Sequence, residues 1–259
     1  MFQPSQQESG VVAGWNETDL KQELAEDLGS NAALPRALAV PRYLQEVYWW
    51  AYVHPNAIRM FERQWLVNAI LWGNFSKLRD AALQALAPMQ GRVLQIACVY
   101  GDLTGRLADC LDKTSSLDVV DIVPGQLSNL QRKLAGRAGI ALFQRNSAAL
   151  GFPDNSYERT LLFFLLHEQP QSVRRQTLAE ALRVTAPGGR IVIADYHCPS
   201  RWHPLYYLFR PVLALLEPYA LDLWRNDIAC WLPQDIKVRI ESRRTFFGGL
   251  YQLVVLVRG

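Results

Sequence analysis

From Pro88 onward the chain alternates between two hydrophobic rhythms. Apolar runs at 92–97, 116–121, 139–144, 157–166 and 190–195 have the length and β-branched content of buried strands. Between them, at about 103–112, 124–135 and 171–185, apolar residues recur every three or four positions, the spacing of a helix with one buried face. This alternation predicts a doubly wound, mostly parallel sheet with helices on both faces, an α/β fold. The stretch "APGGR" (186–190) reads as a helix stop and a turn into the next strand. The tail "RRTFFGGLYQLVVLVRG" reads as two strands joined around Gly248-Gly249, an antiparallel hairpin that closes a seven-stranded sheet.

Before Pro88 the pattern is different. Residues 41–87 are helical and dense in aromatic side chains, with a break at His54-Pro55, and are expected to cap the α/β domain of residues 88–259. Residues 1–40 are polar, with one short helical candidate ("ETDLKQELAEDL"), and read as a loosely held arm. An aromatic insert over 199–226, containing "RWHPLYYLFRPVLALLEPYALDLWR", separates the fifth strand from the hairpin.

Composition narrows the setting. Half of the 259 residues are apolar, enough for one well-buried domain with additions. No apolar run reaches the roughly 18 residues that cross a bilayer, and the first residues lack the basic, apolar, small-residue order of a secretory signal. Cys98, Cys110, Cys198 and Cys230 form no CxxC pair, which favours a reducing compartment and disfavours structural zinc. Net charge is +3, but residues 1–40 carry two basic and six acidic side chains, so the remainder holds +7. That excess suits an anionic membrane surface and is too mild to argue for nucleic acid.

The candidate chemistry starts at "VLQIACVYGDLT" (Val93–Thr104), a strand, a tight loop and a helix where nucleotide-binding sheets carry a glycine-rich turn. Only Gly101 remains; Ala97, Val99 and Tyr100 fill places where small residues are expected. In such sheets ligands sit beyond the carboxyl ends of the strands, at the switch in strand order. The ends of strands one, four and five carry Tyr100 and Asp102, His167 and Glu168, and Asp195 and His197. Imidazoles with carboxylates suit a manganese-like divalent ion, so His167, Glu168, Asp195 and His197 are candidate metal ligands. Each has a plainer alternative. His167-Glu168 can cap the following helix, Asp195 can anchor a loop, Asp102 can cap the first helix, and Tyr100 can pack over a ligand without chemistry. Trp49, Trp50, Tyr52, Trp202, Tyr206, Tyr207 and Phe209, with Arg201, Arg210 and Arg225, read either as core or as an interfacial surface with aromatic anchors. "RRQ" (174–176) and "ESRR" (241–244) read as solvated faces.

The strand-loop-helix, the acid ending strand two, "PGGRIVIAD" and the terminal hairpin together resemble the class I S-adenosylmethionine (SAM) methyltransferases over residues 88–259. Asp121 in "LDVVDIVPGQL" matches the acid that takes the ribose hydroxyls, with Ile122 beside it. "RNSAALGFPDNSYERTLLFFLLHE" matches the adenine segment and contributes Asn146, in place of the usual aspartate, with Ser147 and Phe163. Gln95, Ala97, Val99, Tyr100 and Gly101 complete the implied SAM contacts. The strings "YWWAYVHPNAIRMFERQWLVNAILWGNF", "CVYGDLT", "LLFFLLHEQP" and "DYH" resemble, more specifically, the rhodoquinone-biosynthesis methyltransferase-like family (RquA), from Tyr43 to the C-terminus. That resemblance implies conversion of ubiquinone to rhodoquinone, with a ring methoxy group replaced by an amino group, SAM as nitrogen donor and manganese assisting. Ordinary members of the fold place an acid at the position of Gln95, which holds the SAM amine as ammonium; glutamine removes that charge and frees the lone pair. Tyr100, His167 and His197 are the expected catalytic side chains, with either histidine as general base. The membrane-bound quinone implies a peripheral enzyme on the cytoplasmic face of the inner membrane, or the matrix side of an organelle membrane. A conventional methyltransferase of a quinone or lipid precursor, and an inert quinone-binding assembly protein, are the rival readings.

Overall fold

The structure, a computed structural model, describes residues 39–47 and 63–259. The helix break at His54-Pro55, Trp49, Trp50, Tyr52 and nearly all of the expected arm lie outside the described residues.

Seven strands form one sheet: β1 (Arg92–Ile96), β2 (Ser116–Asp121), β3 (Ile140–Gln144), β4 (Tyr157–Phe163), β5 (Thr185–Tyr196), β6 (Val238–Phe246) and β7 (Tyr251–Arg258). Their order is β3-β2-β1-β4-β5-β7-β6, with β7 antiparallel to both neighbours and every other pairing parallel. The expected strands and closing hairpin are therefore present. The turn at 186–190 differs in detail. The helix before it stops at Val184, yet β5 begins at Thr185, pairs Thr185 with Tyr157, and resumes at Arg190 opposite Arg159 after a register shift. The "APGG" segment is an irregularity within the strand, with Gly188 at φ 76°.

Eight α-helices are described: α1 (Arg42–Val47), α2 (Gln64–Ile70), α3 (Phe75–Leu86), α4 (Leu103–Asp109), α5 (Pro124–Lys133), α6 (Gln171–Val184), α7 (Leu205–Leu216) and α8 (Ala220–Arg225). On α3, Phe75, Leu78, Ala82 and Leu86 are fully buried at helical spacing and pack over β4, β5 and β7. The α/β body thus begins within the aromatic segment, ahead of Pro88. The insert folds as α7 and α8, and α8 packs on a 3-10 turn at Leu166–Glu168 that follows β4. Reversal of strand order between β1 and β4 opens the crevice at the carboxyl ends of the strands.

Candidate active site

A cavity of about 210 Å³ occupies that crevice. Its floor is the β1–α4 loop, Ile96 through Tyr100; one side is Asp121 to Val123, Asn146 and Ser147; the other is the 3-10 turn with Tyr196 and Glu217. Val67, Ile70 and Leu71, at the end of α2 and just after it, close it from above.

The loop makes its sharp turn without a glycine at its start. Ala97 takes φ 75°, a left-handed conformation costing about 1–2 kcal/mol for a residue with a Cβ. Its backbone is held on both sides: its N–H donates to Val120 O (2.9 Å), and the Gln95 amide donates to its carbonyl (2.9 Å). Gln95 is fully buried, does not line the cavity, and its Oε1 has no hydrogen-bond partner among the described residues. At the other end Gly101 takes φ 85°, where a Cβ would lie 3.0 Å from Phe75 Cζ. The loop is therefore an ordered turn. Tyr100 lines the cavity and its hydroxyl accepts from Gln126 Nε2 at 2.6 Å, a partner that sequence reasoning missed.

Asp121 joins this loop to the next. Its carboxylate accepts from Cys98 N (2.7 Å) and Val123 N (2.8 Å), leaving a lone pair on each oxygen toward the cavity. Burial pushes its pKa up to about 6, against the pull of the amide donors. Asn146 offers both polarities. Its oxygen accepts from Ala148 N (2.9 Å) and keeps a second lone pair, able to accept from the adenine amino group, while its NH2 is a donor suited to an adenine ring nitrogen. Ser147 is tied to Thr177 (3.0 Å) and receives Gln169 Nε2 (2.9 Å). Phe163 lines the cavity and meets Phe75 edge-on. These groups fit SAM: an acid for the ribose, an amide at the base, and a tight turn beneath the chain.

The six side chains expected to converge separate into two sets. Tyr100, His167 and Glu168 line the cavity; Asp102, Asp195 and His197 do not. Asp102 sits at the helix start but caps nothing; both its oxygens lie 2.7 Å from Arg79 Nη1. Asp195 is the loop anchor, fully buried and accepting from Leu166 N, His167 N, Tyr196 N and His167 Nδ1 (2.8, 3.3, 2.7 and 2.9 Å). His197 bonds the hairpin instead, its Nδ1 2.8 Å from Gly249 O. Strand alternation explains the exchange: Tyr196 faces the cavity, so its neighbours cannot.

His167 is a proton holder. Burial lowers its pKa, but the Asp195 carboxylate, with Glu217 and Glu168 nearby, outweighs burial and raises it to about 9. The raised pKa favours the imidazolium at neutral pH, a form that donates a proton rather than accepts one. Its Nε2 lies 3.8 Å from Glu168 and 3.9 Å from Glu217. Among the described residues no group of three or more His, Cys, Asp or Glu side chains is arranged to hold a metal ion, so the expected set His167, Glu168, Asp195 and His197 does not form one metal site. Glu217 lines the cavity without having been expected there; its signal in the sequence is a lone acid closing an apolar helix.

Arg174 holds this turn in place. It is fully buried, contrary to the solvated reading of "RRQ", and donates to Leu166 O, Gln169 O and Tyr219 O, each at 2.9 Å, with Trp231 stacked at 4.4 Å. Arg175 beside it is exposed, as expected.

Comparison with known proteins agrees with this geometry. The family model described as "Methyltransferase domain" matches residues 93–189. The demethylmenaquinone methyltransferase of Renibacterium salmoninarum is 32% identical over 180 residues, covering 65% of this chain and 72% of the relative. The ubiquinone/menaquinone biosynthesis C-methyltransferase UbiE of Erwinia tasmaniensis is 30% identical over 135 residues, covering 51% and 50%. Among solved structures, an O-methyltransferase family protein from Burkholderia thailandensis superposes with a TM-score of 0.58 at 16% identity, over 94% of this chain and 69% of that one, which shows the shared fold. The chain spans 50–72% of the length of the first curated relatives it matches.

Removing the Asp121 carboxylate is expected to weaken SAM binding by about 1–3 kcal/mol, measured by calorimetry on Asp121→Ala. Wild-type affinity should itself fall as pH drops through about 6, because protonation takes away an acceptor. Unchanged affinity in both experiments would remove Asp121 from the ribose.

Proposed function

Because the chain belongs to the class I SAM-dependent methyltransferase family, we propose that it is a quinone-modifying transferase that replaces a ring methoxy group of ubiquinone with an amino group, with SAM as the nitrogen source. The observation that supports this most is at the end of β1. There the chain carries neutral Gln95, buried and turned back onto Ala97 O, and no carboxylate of the β1–α4 loop lines the cavity. Asp102, the acid of that loop, is committed to Arg79. An ammonium has no lone pair, so a cavity without a carboxylate on this side favours an amine able to attack.

On this reading the SAM amine would add to the ring carbon bearing the methoxy group, which leaves as methanol with an amine proton. The remaining N–H and Cα–H hydrogens, with two electrons, would then pass to the quinone ring, and water would hydrolyse the resulting imine to the aminoquinol and the 2-oxo acid of the donor. Asp121 holds the ribose, the Asn146 amide faces the base, and Tyr100, fixed by Gln126, forms the wall beside the reacting end. His167, protonated below pH about 9, donates toward a quinone carbonyl oxygen and favours addition to the ring, while Asp195 keeps its Nδ1–H in place. Since isoprenoid quinones reside in the bilayer, this reading puts the enzyme at a membrane face, the cytoplasmic one in a bacterium.

Relatives named demethylmenaquinone methyltransferase and ubiquinone/menaquinone biosynthesis C-methyltransferase favour a second reading, in which the same cavity methylates a quinone ring. Incubation of the full chain with ubiquinone and SAM carrying heavy nitrogen at its amine separates the two. A product quinone one mass unit heavier than that from unlabelled SAM supports amination. A methylated quinone without label, accompanied by S-adenosylhomocysteine, would overturn it. Chelation followed by added manganese in the same assay tests the ion that the family resemblance implies.

A further inference from the structure

Exposed large apolar side chains are normal when scattered singly; here they are concentrated. Among the described residues, all but Ile240 lie on α2, on α7 or in the turns beside them. Helix α7, "LYYLFRPVLALL", is apolar on its inner side and, apart from Arg210 and the tyrosine hydroxyls, on its outer side too. Leu205, Phe209 and Leu213 face inward, while Tyr207, Leu208, Val212, Leu215 and Leu216 face solvent, Leu215 at 81% exposure. A surface helix of a soluble fold carries polar residues on that outer side. Trp72, following α2, meets Phe209 of α7 at 5.7 Å, so the two exposed surfaces are joined.

This surface is also continuous with the cavity. Val67, Ile70 and Leu71 line the cavity, and Ile70 is at the same time 44% exposed beside Trp72. An apolar path therefore runs from the site, past Ile70, to the outer side of α7. Charge identifies what covers it. α7 contains no acid; its one charged residue, Arg210, is exposed, as is Arg201 just before it, and Trp202 between them is 95% exposed. Twelve residues span about 18 Å, too short to cross the hydrocarbon core and long enough to lie along its boundary. Cations and aromatics bordering an apolar helix side are what an anionic bilayer surface accepts.

We propose that the outer side of α7, with Trp72 and Ile70, docks on an anionic phospholipid surface and sets the mouth of the cavity against the bilayer. An isoprenoid-tailed substrate then keeps its tail in lipid while its ring passes Ile70 into the site. Only the cargo in this picture rests on the quinone reading; the docking does not. The expected aromatic anchors are redistributed accordingly: Trp202 and Tyr207 belong to the surface, whereas Tyr206 stacks on Trp224 and Phe209 is buried.

The test is sedimentation of the full chain with vesicles of phosphatidylcholine alone or mixed with phosphatidylglycerol. Wild type should bind the mixed vesicles. The Val212→Glu, Leu215→Glu double variant, altered only at exposed positions, should bind them at least about tenfold more weakly with an unchanged melting temperature. Arg210→Ala should lose roughly fivefold on mixed vesicles and nothing on neutral ones. Equal vesicle binding by wild type and double variant would overturn the docking, as would a wild-type dimer in lipid-free solution that the double variant dissolves. With a tail-less ubiquinone analogue in solution, the double variant should match wild type in aminoquinone formation; with long-tailed ubiquinone in vesicles it should fall behind. Vesicle binding without any aminoquinone would sink the reaction and leave the docking intact.

Discussion

Asp195→Ala is expected to destabilise the protein by about 3–5 kcal/mol, the cost of breaking a buried ion pair by removing one partner. The carboxylate accepts four hydrogen bonds, three from backbone amides and one from His167, and none can be replaced by water at a fully buried position. The deficit should depend on pH with a definite sign. The folded pKa of His167, about 9, stands above its ordinary value of 6.5, so the stabilisation from this pair is fully present below pH about 6.5 and is lost as pH rises through about 9. Denaturant unfolding of wild type and variant at pH about 6 and about 10 should therefore show the gap narrowing at the higher pH. A gap of the same size at both would mean that His167 is neutral in the folded protein.

Replacing Arg174 by methionine is expected to cost about 3 kcal/mol or more and, on the proposed reading, to weaken quinone binding as well. Hydrogen bonds to a charged group contribute about 1.5–3 kcal/mol each, and three carbonyls would lose their donor together. Two of those carbonyls belong to Leu166 and Gln169, which bracket His167 and Glu168; the third, Tyr219, belongs to the insert. The guanidinium thus fastens the turn that carries His167 to the insert, and on the proposed reading its removal should raise the KM for quinone more than that for SAM. Arg174→Lys is the informative companion. An ammonium cannot reproduce a planar fork that reaches three carbonyls, so lysine should recover less than half of the lost stability. Full recovery by lysine would show that charge alone matters there.

The order of strands and helices, the closing hairpin, the cofactor loop and Asp121 could be read from the chain because each is written locally. A strand or helix declares itself by a period of two or 3.6 within ten residues, and a sheet of alternating units has few alternatives for where its ligand crevice falls. Tyr100, His167, Glu168, Asn146 and Phe163 line the cavity for the same reason: Phe163 ends a strand and the others follow the carboxyl ends of strands. Which side each polar group faces was not local information. Asp195, Tyr196 and His197 alternate across one strand, and only the packing of the 3-10 turn and α8 against that strand's end assigns the cavity to Tyr196. Arg174 and Arg175 are adjacent and chemically identical, yet one is fully buried beneath Trp231 and the other is solvated. A helix offers two such residues about 100° apart, and the neighbour that comes to cover one of them is 45 residues away at Tyr219. The lack of charge at Gln95 is legible in the chain, but that its amide turns back to Ala97 is not, because that contact depends on the left-handed turn that an alanine adopts there. The sequence determined the elements and the strand ends where chemistry could occur. Tertiary structure alone decided which side chains meet, because burial and partnership depend on segments far apart in the chain.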